Sequence, residues 1–80
     1  MRLKLRYFAS IRELVGVAEG EMELPEGSTV DDMLETVKKH HGRLRDVDRI
    51  LVAVNGDYVY PGTRLANGDV VALFPPVSGG

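Results

Sequence analysis

Few side chains in this sequence could carry out chemistry, and most of those have a structural explanation. His40 and His41 are adjacent, so on a helix they point about 100° apart and cannot chelate one ion together. Asp31 and Asp32 could form an acid–base pair, but they stand in the first turn of a predicted helix, where acidic residues complement the helix dipole. The chain has no cysteine, which excludes disulfides and a thiol nucleophile. We therefore predict no catalytic constellation and no metal site in the body of the chain.

The C-terminal segment FPPVSGG, residues Phe74–Gly80, has no such structural explanation. Pro75 and Pro76 fix φ and cannot donate to a sheet, so they end a strand and favour an extended exit. Gly79 and Gly80 lack side chains and can therefore enter a channel too narrow for other residues. Fully extended, the segment spans about 20 Å. A carboxylate at its tip could be activated with ATP as an acyl-adenylate and then accept sulfur or an amine.

Length and composition limit the remaining possibilities. The chain has 80 residues, of which 44% are hydrophobic, so we expect one domain with a single modest core. The formal net charge is -2, which gives no strong electrostatic reason to bind nucleic acid. No apolar run approaches the ~20 residues of a membrane span, and no signal-peptide pattern is present. These features predict a soluble, cytoplasmic protein with no nucleic-acid or membrane partner.

The first part of the chain predicts a strand and a short helix. Residues 2–8 alternate, with Leu3, Leu5 and Tyr7 on one side and Arg2, Lys4 and Arg6 on the other, which is typical of a strand with one buried and one solvated face. Residues 10–16 follow as a helix of one or two turns, which Ser10 could cap and Gly16 could end. A further alternating strand is predicted from residue 21, ending in a Pro-Glu-Gly turn.

The clearest element is a helix over residues 28–42, STVDDMLETVKKHHG. Ser28 or Thr29 caps it, with an aspartate three residues after each, in the manner of a capping box. Apolar residues recur at helical spacing, and Gly42 is expected to end the helix.

The last part of the chain predicts three strands. Residues 50–56 close in Asn55-Gly56, a strong hairpin signal, and residues 58–60 form a short return strand. The continuous apolar run at residues 70–74 suits a central strand covered on much of both faces. The order predicts an α+β domain in which the main helix packs on one face of a mixed sheet.

Four stretches of the sequence resemble the ubiquitin-like β-grasp sulfur carriers, the MoaD/ThiS family. They are YFASIRELVG, STVDDMLETV, VAVNG and NGDVVALFPPVSGG. The likeness covers the whole chain and is strongest with the small subunits of molybdopterin synthase. It implies a β-grasp domain over residues 1–74 and an extended Gly-Gly tail over residues 75–80, with the first and last strands parallel and adjacent.

The resemblance also implies roles for residues of the tail. Gly80 would become a C-terminal thiocarboxylate after adenylation. The segment bound in a partner's groove would be Phe74, Pro75, Pro76, Val77, Ser78 and Gly79. We expect Phe8 and Tyr58 to join Phe74 in a partner-binding patch at the root of the tail, because specific interfaces favour aromatic anchors.

The mechanism implied by the resemblance assigns catalysis to other proteins. A ubiquitin-activating-like adenylyltransferase would adenylate Gly80 with ATP, and a sulfur donor system would replace AMP. The large subunit of molybdopterin synthase would then use two such sulfurs to convert cyclic pyranopterin monophosphate to molybdopterin. The chain itself would be a sulfur-donor subunit, not an enzyme, and would bind no cofactor.

Three alternatives remain open from the sequence. A sulfur carrier of the thiamine pathway shares the fold and the Gly-Gly end. Members of that family are usually shorter, however, and lack the double-proline FPPV segment before the Gly-Gly end. A protein modifier would be joined to lysines through Gly80. A plain interaction domain would use neither chemistry.

Overall fold

Within residues 1–76, five strands and two α-helices follow one another in the order that the sequence predicts. The structure is a computed structural model, which describes residues 1–76. The elements are β1 (Arg2–Tyr7), α1 (Ala9–Val15), β2 (Glu19–Glu23), α2 (Val30–His40), a 3₁₀ helix (Gly42–Leu44), β3 (Leu51–Val54), β4 (Asp57–Tyr58) and β5 (Val70–Phe74).

Strand β1 has the alternating burial that its sequence predicts. Leu3, Leu5 and Tyr7 are buried, and the residues between them are exposed. The side chain of Tyr7 lies among apolar neighbours, and this burial raises the pKa of its hydroxyl because the charged form would lose water. One face of the sheet is therefore the core face, and we call the other the outer face.

The sheet order is β2-β1-β5-β3-β4. β1 and β5 are parallel, with Lys4 opposite Val70 and Tyr7 opposite Leu73. The other neighbouring strands are antiparallel. The predicted mixed sheet and the adjacent, parallel first and last strands are confirmed, and the arrangement is a β-grasp.

Strand β5 lies at the centre of the sheet, as predicted, but its two faces differ. Val71 and Leu73 are fully buried on the core face. Val70, Ala72 and Phe74 are only half-buried on the outer face, because both helices leave that face uncovered. The continuous apolar run thus correctly predicted a central strand, but the predicted burial on both faces was wrong.

Helix α2 begins with a reciprocal capping box. The Thr29 hydroxyl accepts from the Asp32 N–H at 3.3 Å, and the Asp32 carboxylate accepts from the Thr29 N–H at 2.9 Å. Thr29 is therefore the cap, and the buried Ser28 hydroxyl instead donates to the Pro25 carbonyl. α2 stops at His40 with His41 as its C-cap, so Gly42 follows the cap, where a terminating glycine is expected, although its φ is not positive and it begins the 3₁₀ helix.

Helix α1 begins differently from the prediction. Ser10 is not its cap: Phe8 occupies the N-cap position without a side-chain hydrogen bond, and Ser10 lies in the first turn. The reason is tertiary, because the Phe8 N–H donates to the Leu73 carbonyl at 3.1 Å and so remains tied to β5. Gly16 ends the helix as expected, with φ of 92° and its N–H on the Arg12 carbonyl at 2.8 Å.

The hairpin between β3 and β4 forms at the predicted Asn-Gly turn. Asn55 and Gly56 both have positive φ, 51° and 92°, as a type I′ turn requires. The return strand is Asp57–Tyr58 rather than residues 58–60, although the Val59 N–H still bonds to the Val52 carbonyl at 3.1 Å.

One layer of core lies between the sheet and the helices. α2 contributes its stripe of Val30, Met33 and Val37, and the 3₁₀ helix contributes Leu44. The sheet side consists of Leu3, Leu5, Tyr7, Val52, Val71 and Leu73, with Ile11 and Leu65 closing the ends.

Replacing the α2 cap should destabilise the protein measurably. We expect Thr29→Ala to lower the free energy of unfolding by about 1 kcal/mol, because the Asp32 N–H loses its acceptor. Thr36→Ala is the matched control, since the Thr36 hydroxyl bonds the Asp32 carbonyl within the helix and alanine favours helix. Urea unfolding of both variants measures the difference, and equal losses would contradict the role of the box.

Candidate functional site

The C-terminal segment leaves the domain from the middle of the sheet. β5 ends at Phe74, which lies opposite Leu51 of β3. Pro75 is half-buried and Pro76 is exposed, and neither continues the strand, as expected for residues that cannot donate to a ladder. The other predicted tail residues, Val77, Ser78, Gly79 and Gly80, lie outside the described residues.

Two phenylalanines stack where the tail begins. The β1–β5 register places Tyr7 opposite Leu73, so the next residues, Phe8 and Phe74, come side by side. Their ring centroids are 4.6 Å apart and their planes differ by 10°. Phe8 remains 39% exposed, so the stack is a surface feature and not part of the core.

Tyr58 extends this stack across the sheet. It lies on the short edge strand β4, is 71% exposed, and its ring centroid is 6.1 Å from that of Phe74. We call Phe8, Phe74 and Tyr58 the aromatic cluster. The structure thus brings together the three aromatic residues that the sequence suggested for the root of the tail, and their role in partner binding stays a prediction.

A shallow hollow of about 240 Å³ accompanies the cluster, and Arg6, Ala53 and Ala72 also line it. This volume is below the 300–1,000 Å³ usual for small-molecule sites. Exposed aromatic rings beside a shallow hollow are better suited to contact with another protein, whose binding energy concentrates at such anchors.

The part of the outer face formed by β1 and β2 is charged. Acidic residues of β2 lie opposite basic residues of β1. Arg2 and Glu23 pair at 2.9 Å, and Arg6 and Glu19 pair at 3.9 Å, with all four side chains more than half exposed. Such pairs add little stability. Arg6 is the residue that sequence reasoning missed, because only the β1–β5 register places this guanidinium beside the aromatic cluster.

The other chemical candidates stay apart from the cluster. Asp31 and Asp32 are exposed at the start of α2, and the ring of His41 packs edge-on against Tyr7 at 5.9 Å. Within residues 1–76, no three histidine or carboxylate side chains group closely enough to hold a metal ion. Over the same residues, no helix has the length and apolar character to cross a membrane.

A comparison with known families identifies the chain. The sequence profile of the ThiS family matches residues 5–80. The chain belongs to the ThiS family. Its relatives include the molybdopterin synthase sulfur carrier subunit of Chlamydomonas reinhardtii, which is 41% identical over 83 residues that cover all of both chains.

Two further relatives are archaeal. Small archaeal modifier protein 3 of Haloferax volcanii is 35% identical, again over the full length of both chains. The crystal structure of SAMP1 from Haloferax volcanii superposes with a TM-score of 0.89 at 32% identity, covering 100% of each chain. This ThiS-family chain therefore has the ubiquitin-like β-grasp fold, and its homologues include sulfur carriers and protein modifiers.

The stack between Phe8 and Phe74 should be detectable as an energetic coupling. In a double-mutant cycle of Phe8→Ala and Phe74→Ala, we expect a coupling of about 1 kcal/mol in the free energy of unfolding, because the rings stack in contact. The pair Tyr60→Ala and Phe74→Ala serves as the control. Urea unfolding gives both values, and additive losses for the phenylalanines would show that the stack does not hold the root of the tail.

Proposed function

We propose that this chain is the sulfur-carrier small subunit of a molybdopterin synthase, with the sulfur carried as a thiocarboxylate of Gly80. The observation that carries the proposal is the exposed aromatic cluster at the point where the tail leaves β5. A protein that presents its C-terminus to other proteins needs an anchor beside that terminus. Full-length similarity to a sulfur carrier subunit supports the same reading.

The chemistry takes place at the chain end. A Gly80 carboxylate oxygen attacks the α-phosphate of ATP on an adenylyltransferase, and pyrophosphate leaves. A sulfide equivalent from a donor system then attacks the acyl carbon and displaces AMP, which leaves a thiocarboxylate. Both steps occur in the cytoplasm, and ATP belongs to the activating enzyme and not to this chain.

The large subunit of the synthase is the proposed acceptor. It holds the catalytic groups, takes the thiocarboxylate into its active site and transfers two such sulfurs to cyclic pyranopterin monophosphate. The domain contributes binding through the aromatic cluster at the root of the tail. The reacting carbon must be placed to within about an ångström for efficient transfer, so the root of the tail has to be held firmly.

Intact mass spectrometry tests the chemistry directly. After incubation with the adenylyltransferase, ATP and a sulfur donor, the chain should gain the mass of one sulfur minus one oxygen at its C-terminus. Deleting Gly80, or adding one residue after it, should leave the fold intact and abolish this change. Molybdopterin formation by an extended chain that has not been trimmed would refute the proposal.

The size of the residue at position 79 should matter for transfer and not for folding. We expect Gly79→Phe to slow thiocarboxylate formation at least tenfold, because a bulky side chain clashes in a narrow channel. Circular dichroism should show an unchanged melting temperature. Gly62→Ala, at an open turn where an added Cβ meets no atom within 4 Å, is the control and should react normally.

Partner binding should depend on Tyr58 and not on Tyr60. Both tyrosines are highly exposed, at 71% and 85%, so neither alanine variant should lose much stability. We expect Tyr58→Ala to weaken binding to the large subunit by about 1–2 kcal/mol, as for an interface anchor, and Tyr60→Ala to leave it unchanged. Isothermal titration calorimetry measures both, and equal affinities would remove Tyr58 from the interface.

A second candidate function is conjugation to lysine side chains through Gly80. The full-length similarity to a small archaeal modifier protein favours it. The same acyl-adenylate would then react with an amine instead of sulfide. Mass spectrometry of tryptic digests from the source cells would reveal Gly-Gly remnants on lysines if this route operates.

A further inference from the structure

A second surface lies between α2 and the β3–β4 edge of the sheet. It is a groove of about 790 Å³. Its apolar floor consists of Leu34, Ile50 and Val59, which pack against the core but stay partly open. Tyr60, 85% exposed, and Pro61 stand at its rim. Its volume lies within the range of small-molecule sites, but the groove is open to solvent on one side, whereas small-molecule sites bury most of their ligand, so an extended polypeptide segment suits it better.

The backbone just before β3 has an open hydrogen-bonding position beside this floor. Val52 directs its carbonyl outward to the Val59 N–H at 3.1 Å. Because backbone groups alternate in direction along a strand, the next outward position is Ile50. Within residues 1–76, no backbone hydrogen bond involves Ile50. β4 covers β3 itself, so the open position is the backbone at Ile50, just before β3 begins, and next to an apolar floor it offers a starting point for an added extended segment.

The α2 wall of the groove carries charge in a definite order. Asp31 and Glu35 line its first part and Lys38 its last part. Asp31 to Lys38 spans about 10 Å along the helix axis. The acidic end adjoins Pro61, since the Asp31 N–H donates to the Pro61 carbonyl at 3.0 Å.

These charges are available to a partner. Among residues 1–76, the ion pairs are Arg2–Glu23 and Arg6–Glu19, both on the outer face. None of the charged residues that line the groove, which also include Asp48 and Arg49, forms an ion pair with another described residue. An extended chain rises about 3.3 Å per residue and alternates its side chains. Residues two and four positions apart in the partner segment therefore point to the same side. A segment with opposite charges four positions apart could contact the wall with both of them, while an apolar residue midway contacts the floor.

We propose that this groove binds an extended segment of a partner protein that pairs with the open backbone at Ile50, just before β3. The segment places an acidic side chain against Lys38, a basic side chain against Asp31 and Glu35, and an apolar side chain between them on the floor. The groove is distinct from the proposed tail-root interface, because Phe8 and Phe74 do not line it, and only Tyr58 borders both. This inference does not depend on the sulfur-carrier proposal.

Titration of the ¹⁵N-labelled full chain with two synthetic peptides tests the proposal. The probes are acetyl-Thr-Glu-Thr-Val-Thr-Lys-Thr-amide and the same peptide with Glu and Lys exchanged. Only one of these two peptides should produce saturable amide shifts at Ile50, Leu34 and Val59. Pairing to the Ile50 backbone fixes the direction of the bound segment, so only one order of Glu and Lys matches the charges on α2. Replacing the central Val by Ser should abolish them. No saturable shift of Ile50 below about 5 mM would overturn the proposal, since affinity that weak is negligible.

A charge exchange on α2 provides the decisive variant. Glu35→Lys combined with Lys38→Glu keeps the composition and exchanges the charges at the last two wall positions while Asp31 stays acidic, so it should weaken the preferred peptide by about fivefold, the scale of an exposed ion pair, and reduce the preference between the two orders. Lys4→Glu combined with Glu21→Lys, a cross-strand pair on the outer face, is the matched control and should change neither titration. Circular dichroism verifies that both variants fold.

Three results would contradict the proposal. Unchanged peptide preference in the α2 variant would show that the charges on α2 do not determine which peptide binds. Shifts confined to the outer face would place the binding elsewhere. Shifts at the groove that depend on protein concentration without any peptide would identify a second copy of the chain as the occupant instead.

Discussion

The parallel pairing of β1 with β5 is the interaction on which the rest of this structure depends. It joins the two ends of the chain at the centre of the sheet, with Tyr7 opposite Leu73. Every other strand is then added antiparallel on one side or the other. The same register sets Phe8 beside Phe74 and ties the Phe8 N–H to Leu73, so the pairing that closes the core also builds the surface from which the tail leaves.

Two layers give this small domain one covered and one open sheet face. α2 and the 3₁₀ helix cover the core face, and an 80-residue chain has too little material for another layer. The open face is sorted by strand into acidic β2, basic β1 and apolar β5. Opposite charges face each other across β1 and β2, and the apolar part stays open where a partner is proposed to bind.

Most elements could be predicted from the sequence because their causes are local. Alternation in β1, the stripe and cap of α2, and the Asn55-Gly56 turn each depend on residues within a few positions of one another. The errors have a common physical origin. Ser10 has the chemistry of a cap, but the bond from Phe8 to β5 fixes where α1 begins. The apolar run of β5 suggested burial on two faces, whereas neighbouring layers decide how many faces are covered.

The candidate site could likewise be predicted only in part from the sequence. The sequence by itself determined the composition of the tail and the types of residue available near its root, because proline, glycine and aromatic side chains carry their properties wherever they stand. Only the tertiary structure decided that Phe8, Tyr58 and Phe74 meet, that Arg6 lies beside them and that the groove along α2 exists. These residues are far apart in the chain, and only the strand register and the packing of α2 bring them into contact.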